Sequence, residues 1–154
     1  MSFRRASPIL GLLALGLLSP TEAHAALGGD AASIAADSVT LGGTREITRT
    51  AAWEVHVLRL PSGTVVREYV LRGGKVFAIA WGGPVIPNLR LLLGSYFEPY
   101  VNSPQGRASG HHLRVVATPN WVVQSAGHSP GFLGRAWLPT QLPAGFDLDT
   151  VRAW

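Results

Sequence analysis

The chain has 154 residues, contains no cysteine, and carries 13 basic against 9 acidic side chains, for a net charge of +4. The lack of cysteine excludes a disulfide framework, a thiolate metal site and anchoring through a lipid-modified cysteine. The basic residues are spread along the chain rather than clustered, so the charge predicts no nucleic-acid surface.

Residues 1–25 have the three parts of a secretory signal peptide. Two arginines precede an apolar stretch at residues 9–18, and a small-x-small cleavage motif ends at Ala25. The apolar stretch is too short to span a bilayer as a permanent helix. We therefore expect cleavage after Ala25, a periplasmic or secreted protein without a permanent membrane span, and one domain over residues 26–154.

Small residues dominate the start of the expected mature chain. Asp30 precedes them as an N-cap residue does, which predicts a short N-terminal helix over residues 31–39. This helix has few large apolar side chains, so we expect it to pack weakly. Residues 44–50 are polar and β-prone, and they open the first predicted strand.

Three strand-like runs follow, separated by two glycine-containing turns. In the first run the odd-numbered residues from Trp53 are apolar, which predicts that they face inward. Glu54 and His56 lie between them and are expected to face outward.

The second run, Val65–Leu71, contains only two charged residues. Arg67 and Glu68 are expected to form an exposed cross-strand charge pair with Arg59. The third run, residues 76–81, is apolar at every position, which is typical of a strand with both faces covered. It is therefore predicted to be the central strand.

Residues 87–100 have the strongest helical pattern in the chain. Asn88 is a good capping residue, so the helix is predicted to begin here. Gly94 lies off the apolar face and weakens the helix by about 1 kcal/mol relative to alanine. Pro99 is expected to limit its other end. The apolar face comprises Leu89, Leu92, Leu93, Tyr96, Phe97 and Tyr100.

The last third of the chain returns to strand patterns, at residues 113–118, 121–125 and 132–138. The sequence SAGHSPG is predicted to connect the last two strands, and Asp147 to cap a final helical turn. The fold class is therefore α+β: a mostly antiparallel sheet of about six to seven strands packed on one main amphipathic helix, plus a short N-terminal helix.

Several sequence blocks resemble one family. The blocks are LPSGTVVREYV at residues 60–70, KVFAIAWGGPVIPNLRLLLGSYF at 75–97, and GRAWLP with LPAG within 134–145. They are similar to the proteobacterial exported-protein family called domain of unknown function 2844, apart from Asn88, where that family has aspartate. The resemblance implies export and a single domain, and it brings no activity and no catalytic residues.

Histidines are the first candidates for chemistry. His111 and His112 are adjacent, so on a strand they face opposite sides and do not readily share one ion. A metal site would need one of them together with His128 and a carboxylate. No ligand spacing favours such a site, so no metal and no cofactor are expected.

A small secreted hydrolase or metal-dependent enzyme is the alternative function. It would use His128 with Ser125 or Ser129, or with a distant carboxylate, as base and nucleophile. The surrounding sequence lacks the GxSxG elbow and has no neighbouring acid. The positions that would decide the question are those of His111, His112, His128, Glu54, Glu68 and Asp147.

Tryptophans are the candidates for binding. Trp53, Trp81, Trp121 and Trp137 each lie in a strand-like run, where a tryptophan is usually part of the core. Two of them exposed side by side would instead form a platform for a sugar ring or an apolar partner. The sequence thus favours a non-catalytic binding or accessory module of the cell envelope, with another envelope protein or a glycan as its partner.

Overall fold

A computed structural model describes residues 26–105 and 113–152; the expected signal peptide, residues 1–25, lies outside them. The strands are β1 (Thr44–Arg49), β2 (Trp53–Arg59), β3 (Val65–Leu71), β4 (Val76–Gly83), β5 (Leu113–Ala117), β6 (Val122–His128) and β7 (Gly131–Trp137). The helices are α1 (Ala31–Thr40), α2 (Leu89–Leu93) and α3 (Phe97–Asn102). No helix in these described ranges is both long and apolar enough to span a bilayer.

The seven strands form one sheet in the order β1-β2-β3-β4-β7-β6-β5, and every neighbouring pair is antiparallel. This confirms the α+β class and the predicted number of strands. β4 lies at the centre, and its residues from Val76 to Gly82 are buried. The continuous apolar run therefore identified the central strand correctly, because both of its faces are covered.

The sheet has two faces that are covered differently. The first face carries Leu58, Val66 and Trp81, which belong to one buried cluster with Ile34 of α1 and Leu92 of α2. Burial of such apolar side chains is the main source of stability for a chain without disulfides.

The second face carries Tyr69, Phe77 and Trp137. A C-terminal segment, residues 142–151, lies against these side chains and contributes Phe146 and Val151 to their cluster. This segment covers only part of the second face.

α1 is better anchored than its sequence predicted. Ile34 is completely buried, and Ser33, Asp37 and Ser38 are buried beside it. Asp30 occupies the N-cap position but makes no side-chain capping bond, and its carboxylate instead lies 3.0 Å from the Lys75 ammonium.

The helical region after β4 begins as predicted, because the Asn88 side chain accepts a hydrogen bond from the Leu91 backbone at 3.2 Å. It is not one continuous helix. Gly94 has φ +53°, and a Cβ there would collide with Ala26, so α2 ends and a 3-10 turn leads into α3. The expectation that Pro99 limits the helix is wrong. It lies in the first turn of α3, where a missing N–H costs little.

The predicted outward direction of His56 and the predicted exposure of Glu68 are also wrong. Both side chains are buried on the first face, and the two residues are direct cross-strand partners. Arg59 is opposite Val65 rather than Glu68. Because both sides of the sheet are covered, apolar alternation on β2 did not distinguish an inner from an outer face.

The connection between β6 and β7 is shorter than predicted. β6 continues to His128 and β7 begins at Gly131, so most of SAGHSPG is strand rather than loop. The final turn is as predicted, since the Asp147 carboxylate accepts a hydrogen bond from the Asp149 backbone at 2.8 Å.

Candidate functional site

A cluster of polar side chains lies beneath α1 on the first face. Glu68 of β3 is fully buried, and the exposed fractions of its neighbours Asp37 and His56 are only 2% and 3%. Within the described ranges, both carboxyl oxygens of Glu68 lack a hydrogen-bond partner, and so does the Nδ1 of His56. Unpartnered buried polar atoms are rare in folded proteins because each costs free energy.

Burial determines the charge state of this cluster. It raises the pKa of Glu68 from 4.5 to about 8, and the nearby Asp37 carboxylate adds to the rise while Arg45 opposes it. Glu68 is therefore protonated and neutral at pH 7.

Burial also lowers the pKa of His56, against the effect of a contact between its Nε2 and the Glu54 carboxylate at 3.3 Å. That contact, followed by one from Arg49, lowers the pKa of Glu54. The buried cluster is shielded from solvent, so a substrate has no access to it.

A groove of about 380 Å³ opens on the second face, beside the C-terminal segment. It exists because residues 142–151 cover the centre of this face but leave the β5–β7 side open. Cavities of this size are typical of sites for small molecules. The described lining residues are Leu113, Gln124, Ser125, Ala126, Leu133, Gly134, Arg135, Val151 and Arg152.

Arg135 is the best-positioned polar group of the groove. Its Nε donates to the Gln124 side chain at 2.8 Å and its Nη1 to the Leu148 carbonyl at 3.1 Å. The guanidinium lies 5.3 Å from the centre of the Trp137 ring. These contacts hold the group in place, yet it makes no ion pair with any described residue.

The rest of the groove is mixed in character. Arg152 adds a second cation, more than half exposed, whose contact with Asp149 is at the 4.0 Å limit of an ion pair. Leu113 and Leu133 are exposed apolar side chains on the same lining. None of the lining residues that the structure describes carries a carboxylate or an imidazole. The arrangement is suited to binding a negative group beside an apolar one.

The structure separates Ser125 from His128, which is one of the pairs that the hydrolase alternative could use. Ser125 and His128 are three positions apart on β6, so their side chains lie on opposite faces of the strand. The Ser125 hydroxyl is 2.7 Å from the Tyr100 hydroxyl. His128 is exposed, with its Nδ1 3.0 Å from the Ser129 carbonyl oxygen.

The described carboxylate candidates, Glu54, Glu68 and Asp147, do not gather in one pocket. Glu54 contacts His56, which is the cross-strand partner of Glu68. Asp147 is on the C-terminal segment of the opposite face. His111 and His112 lie outside the described residues. Across residues 26–105 and 113–152, no three His, Cys, Asp or Glu side chains are arranged to hold a metal ion.

The four tryptophans are divided between the two faces. Trp81 is buried on the first face, and Trp121 packs against the same cluster, 6.0 Å from Tyr96. Trp137 is buried on the second face, where Trp53 contacts Phe146 edge to face at 5.0 Å. They therefore do not form the side-by-side platform that would bind a sugar ring.

Sequence reasoning missed the residues that make up the groove. Gln124 and Arg135 are direct cross-strand partners. Both residues lie in predicted antiparallel strands near one turn, and this pattern could have indicated that they pair. Aligning them requires the strand register, which depends on the turn length.

Comparisons with known proteins place the chain in a family. A search of curated proteins found no match, and a search of solved structures found none either. A family model described as "Protein of unknown function (DUF2844)" matches residues 23–151. This match agrees with the resemblance of the SGT, AIAWGGP and GRAWLP blocks. The chain belongs to the family DUF2844.

Proposed function

We propose that this protein is an exported, non-catalytic binding module of the bacterial cell envelope that holds a small anionic amphiphile in the groove. The observation that carries the proposal is Arg135, a fixed guanidinium in an open groove without an ion-pair partner among the described residues. Export rests on the signal-peptide pattern of residues 1–25.

The charge of the ligand follows from the two arginines. Arginine stays protonated in proteins, so it must be balanced by an anion or by water. A guanidinium with two of its donors already bonded to the protein is pre-organised, and less entropy is lost when it binds a carboxylate or a phosphate. The exposed Arg152 adds to the same positive field.

The apolar part of the ligand follows from the rest of the lining. Leu113, Ala126 and Leu133 offer hydrocarbon surface next to the guanidinium of Arg135. A fully hydrophilic anion would leave this surface in contact with water, whereas an alkyl chain would cover it. An amphiphile with a carboxylate or phosphate head therefore matches both halves of the groove.

Binding is favoured over catalysis by the chemistry of the lining. General acid–base catalysis at neutral pH needs a histidine or carboxyl side chain within reach of the substrate. The described lining offers arginine and amide groups instead, because the Ser125 hydroxyl lies on the first face, where it contacts the Tyr100 hydroxyl. These groups orient and neutralise an anion.

The test is isothermal titration calorimetry of the purified protein with sodium decanoate below its micelle concentration. Arg135→Gln should weaken decanoate binding about ten- to a hundredfold, because a hydrogen bond to a charged group contributes about 1.5–3 kcal/mol. Arg59→Gln is the matched control and should bind like the wild type, since Arg59 is exposed on β2, across the centre of the sheet.

Three further ligands separate the contributions. Acetate should bind much more weakly than decanoate, and 1-decanol should not bind, because each lacks one half of the amphiphile. Decyl phosphate tells a phosphate preference from a carboxylate preference. Equal affinity of wild type and Arg135→Gln for decanoate, or binding of decanol as tight as that of decanoate, would contradict the proposal.

A further inference from the structure

We propose that α1 and β1, together residues 31–49, act as a pH-sensitive cover that opens locally as the solution changes from slightly acidic to slightly alkaline. The inference is independent of the groove. It rests on the placement of two acidic side chains that come from different elements and are both buried.

The two acids belong to elements that can separate from each other. Asp37 is on α1 and Glu68 on β3, and both are buried. They are close enough for the charge of Asp37 to act on Glu68. Both oxygens of Glu68 lack a hydrogen-bond partner within the described ranges, so no hydrogen bond there would stabilise a charge on it.

The groups that face Glu68 come from each element around it. β2 supplies His56, and β4 supplies the apolar Ile79 as the other cross-strand neighbour. From β1, Arg45 acts on Glu68 but is itself exposed to solvent. The further charges, Glu54 and Arg49, pair with each other at 2.9 Å near the surface. The balance around Glu68 therefore disfavours its ionised form.

The cover has features of a segment that opens locally. α1 has one large, fully buried apolar side chain, Ile34, and its other buried residues beyond the first turn are polar. β1 is an edge strand that pairs only with β2, and five of its six residues are exposed. Few buried apolar contacts and exposed backbone bonds are the features of locally unfolding segments.

The cover remains attached when it opens. Before α1, the Gly28 backbone donates to the Val76 carbonyl at 2.8 Å, and the Val76 backbone donates to the Gly29 carbonyl at 3.0 Å. After β1 the chain continues directly into β2. Opening therefore exposes Glu68 and the edge of β2 while Gly28 and Gly29 remain bonded to β4.

The direction and size of the effect follow from proton linkage. In the closed state the pKa of Glu68 is about 8, whereas in the open state it returns towards 4.5. The closed state therefore binds more protons, and opening becomes about tenfold more favourable per pH unit up to pH 8. The pKa of His56 is lowered from 6.5 by burial, so its opposing effect is confined to pH values below 6.5.

Trypsin tests the proposal, because it cleaves after Arg45 and Arg49 only when β1 leaves the sheet. The initial cleavage rate is measured between pH 6.5 and 8 and divided by that of an unstructured peptide containing residues 44–50. For the wild type this ratio should rise about tenfold per pH unit. For Glu68→Gln it should not change with pH.

Three controls make the result decisive. Glu98→Gln, which removes an exposed carboxylate that pairs with Arg90, should follow the wild type. Asp37→Asn removes the charge that helps to raise the pKa of Glu68, so the rise should level off at a lower pH, which also serves if Glu68→Gln folds poorly. Cleavage after Arg67, in the middle of β3, reports global unfolding and should be far slower than cleavage after Arg45 at every pH. A ratio independent of pH in the wild type, or cleavage after Arg67 as fast as cleavage after Arg45, would overturn the proposal.

Discussion

The β1–β3 side and the β5–β7 side of the sheet differ in where they hold their ionisable side chains. On the β1–β3 side, Glu68 and His56 are enclosed beneath α1 and isolated from solvent. On the β5–β7 side, Arg135 lies in an open groove that the C-terminal segment does not cover. The strands on both sides have similar lengths and pair in the same way. The difference is thus a property of the layers above the sheet.

Protonation chemistry explains why Glu68 can be buried whereas Arg135 remains accessible to solvent. A carboxyl group that is buried can remain protonated and neutral, at a cost that depends on pH. Arginine has no such option, because its guanidinium is not deprotonated in proteins. Burying Glu68 therefore costs less than burying Arg135 would, and only the accessible Arg135 leaves a charge available for a ligand.

The largest expected effect sharpens the contrast between the covered and the open side. Ile34→Ala should lower the free energy of unfolding by about 2–5 kcal/mol, because it removes the main apolar anchor of α1. Leu133→Ala, on the groove, should change it by no more than about 0.5 kcal/mol, because this side chain is 39% exposed. Urea denaturation measures both values. Similar losses in the two variants would mean that the covered and open sides do not differ as described.

A second experiment measures the cost of burying Glu68. The folded state holds a proton that the unfolded state releases near pH 4.5, so stability from this group declines as the pH rises towards 8. Between pH 6.5 and 8 the free energy of unfolding should fall by about 1.4 kcal/mol per pH unit. Glu68→Gln should be more stable than the wild type at pH 8 and lack this decline. A wild-type curve that is flat over this range would show that Glu68 is ionised in the folded protein.

Secondary structure was largely predictable from the sequence. All seven strands coincide with predicted runs, because β-branched residues and glycine-containing turns act locally. The break at Gly94 was not predicted. It depends on the close approach of Ala26, a residue far away in the sequence. Local patterns carry no information on such contacts.

The functional features were less predictable for the same reason. Alternation along Val66, Glu68 and Val70 does place the three side chains on one face, and this signal was available. Whether that face meets water or α1 depends on how the layers assemble. The groove depends in turn on how residues 142–151 lie across the second face, which no local pattern specifies.

The most direct test of the account is to map the bound ligand onto the two sides. In two-dimensional NMR of the ¹⁵N-labelled protein titrated with decanoate at pH 6.5, where the cover is closed, the largest saturable amide shifts should occur at Gln124, Ala126, Leu133 and Arg135. The amides of His56 and Glu68 should not move. Saturable shifts centred on His56 and Glu68, or no saturable shifts at the groove, would contradict the assignment of the open side as the binding site.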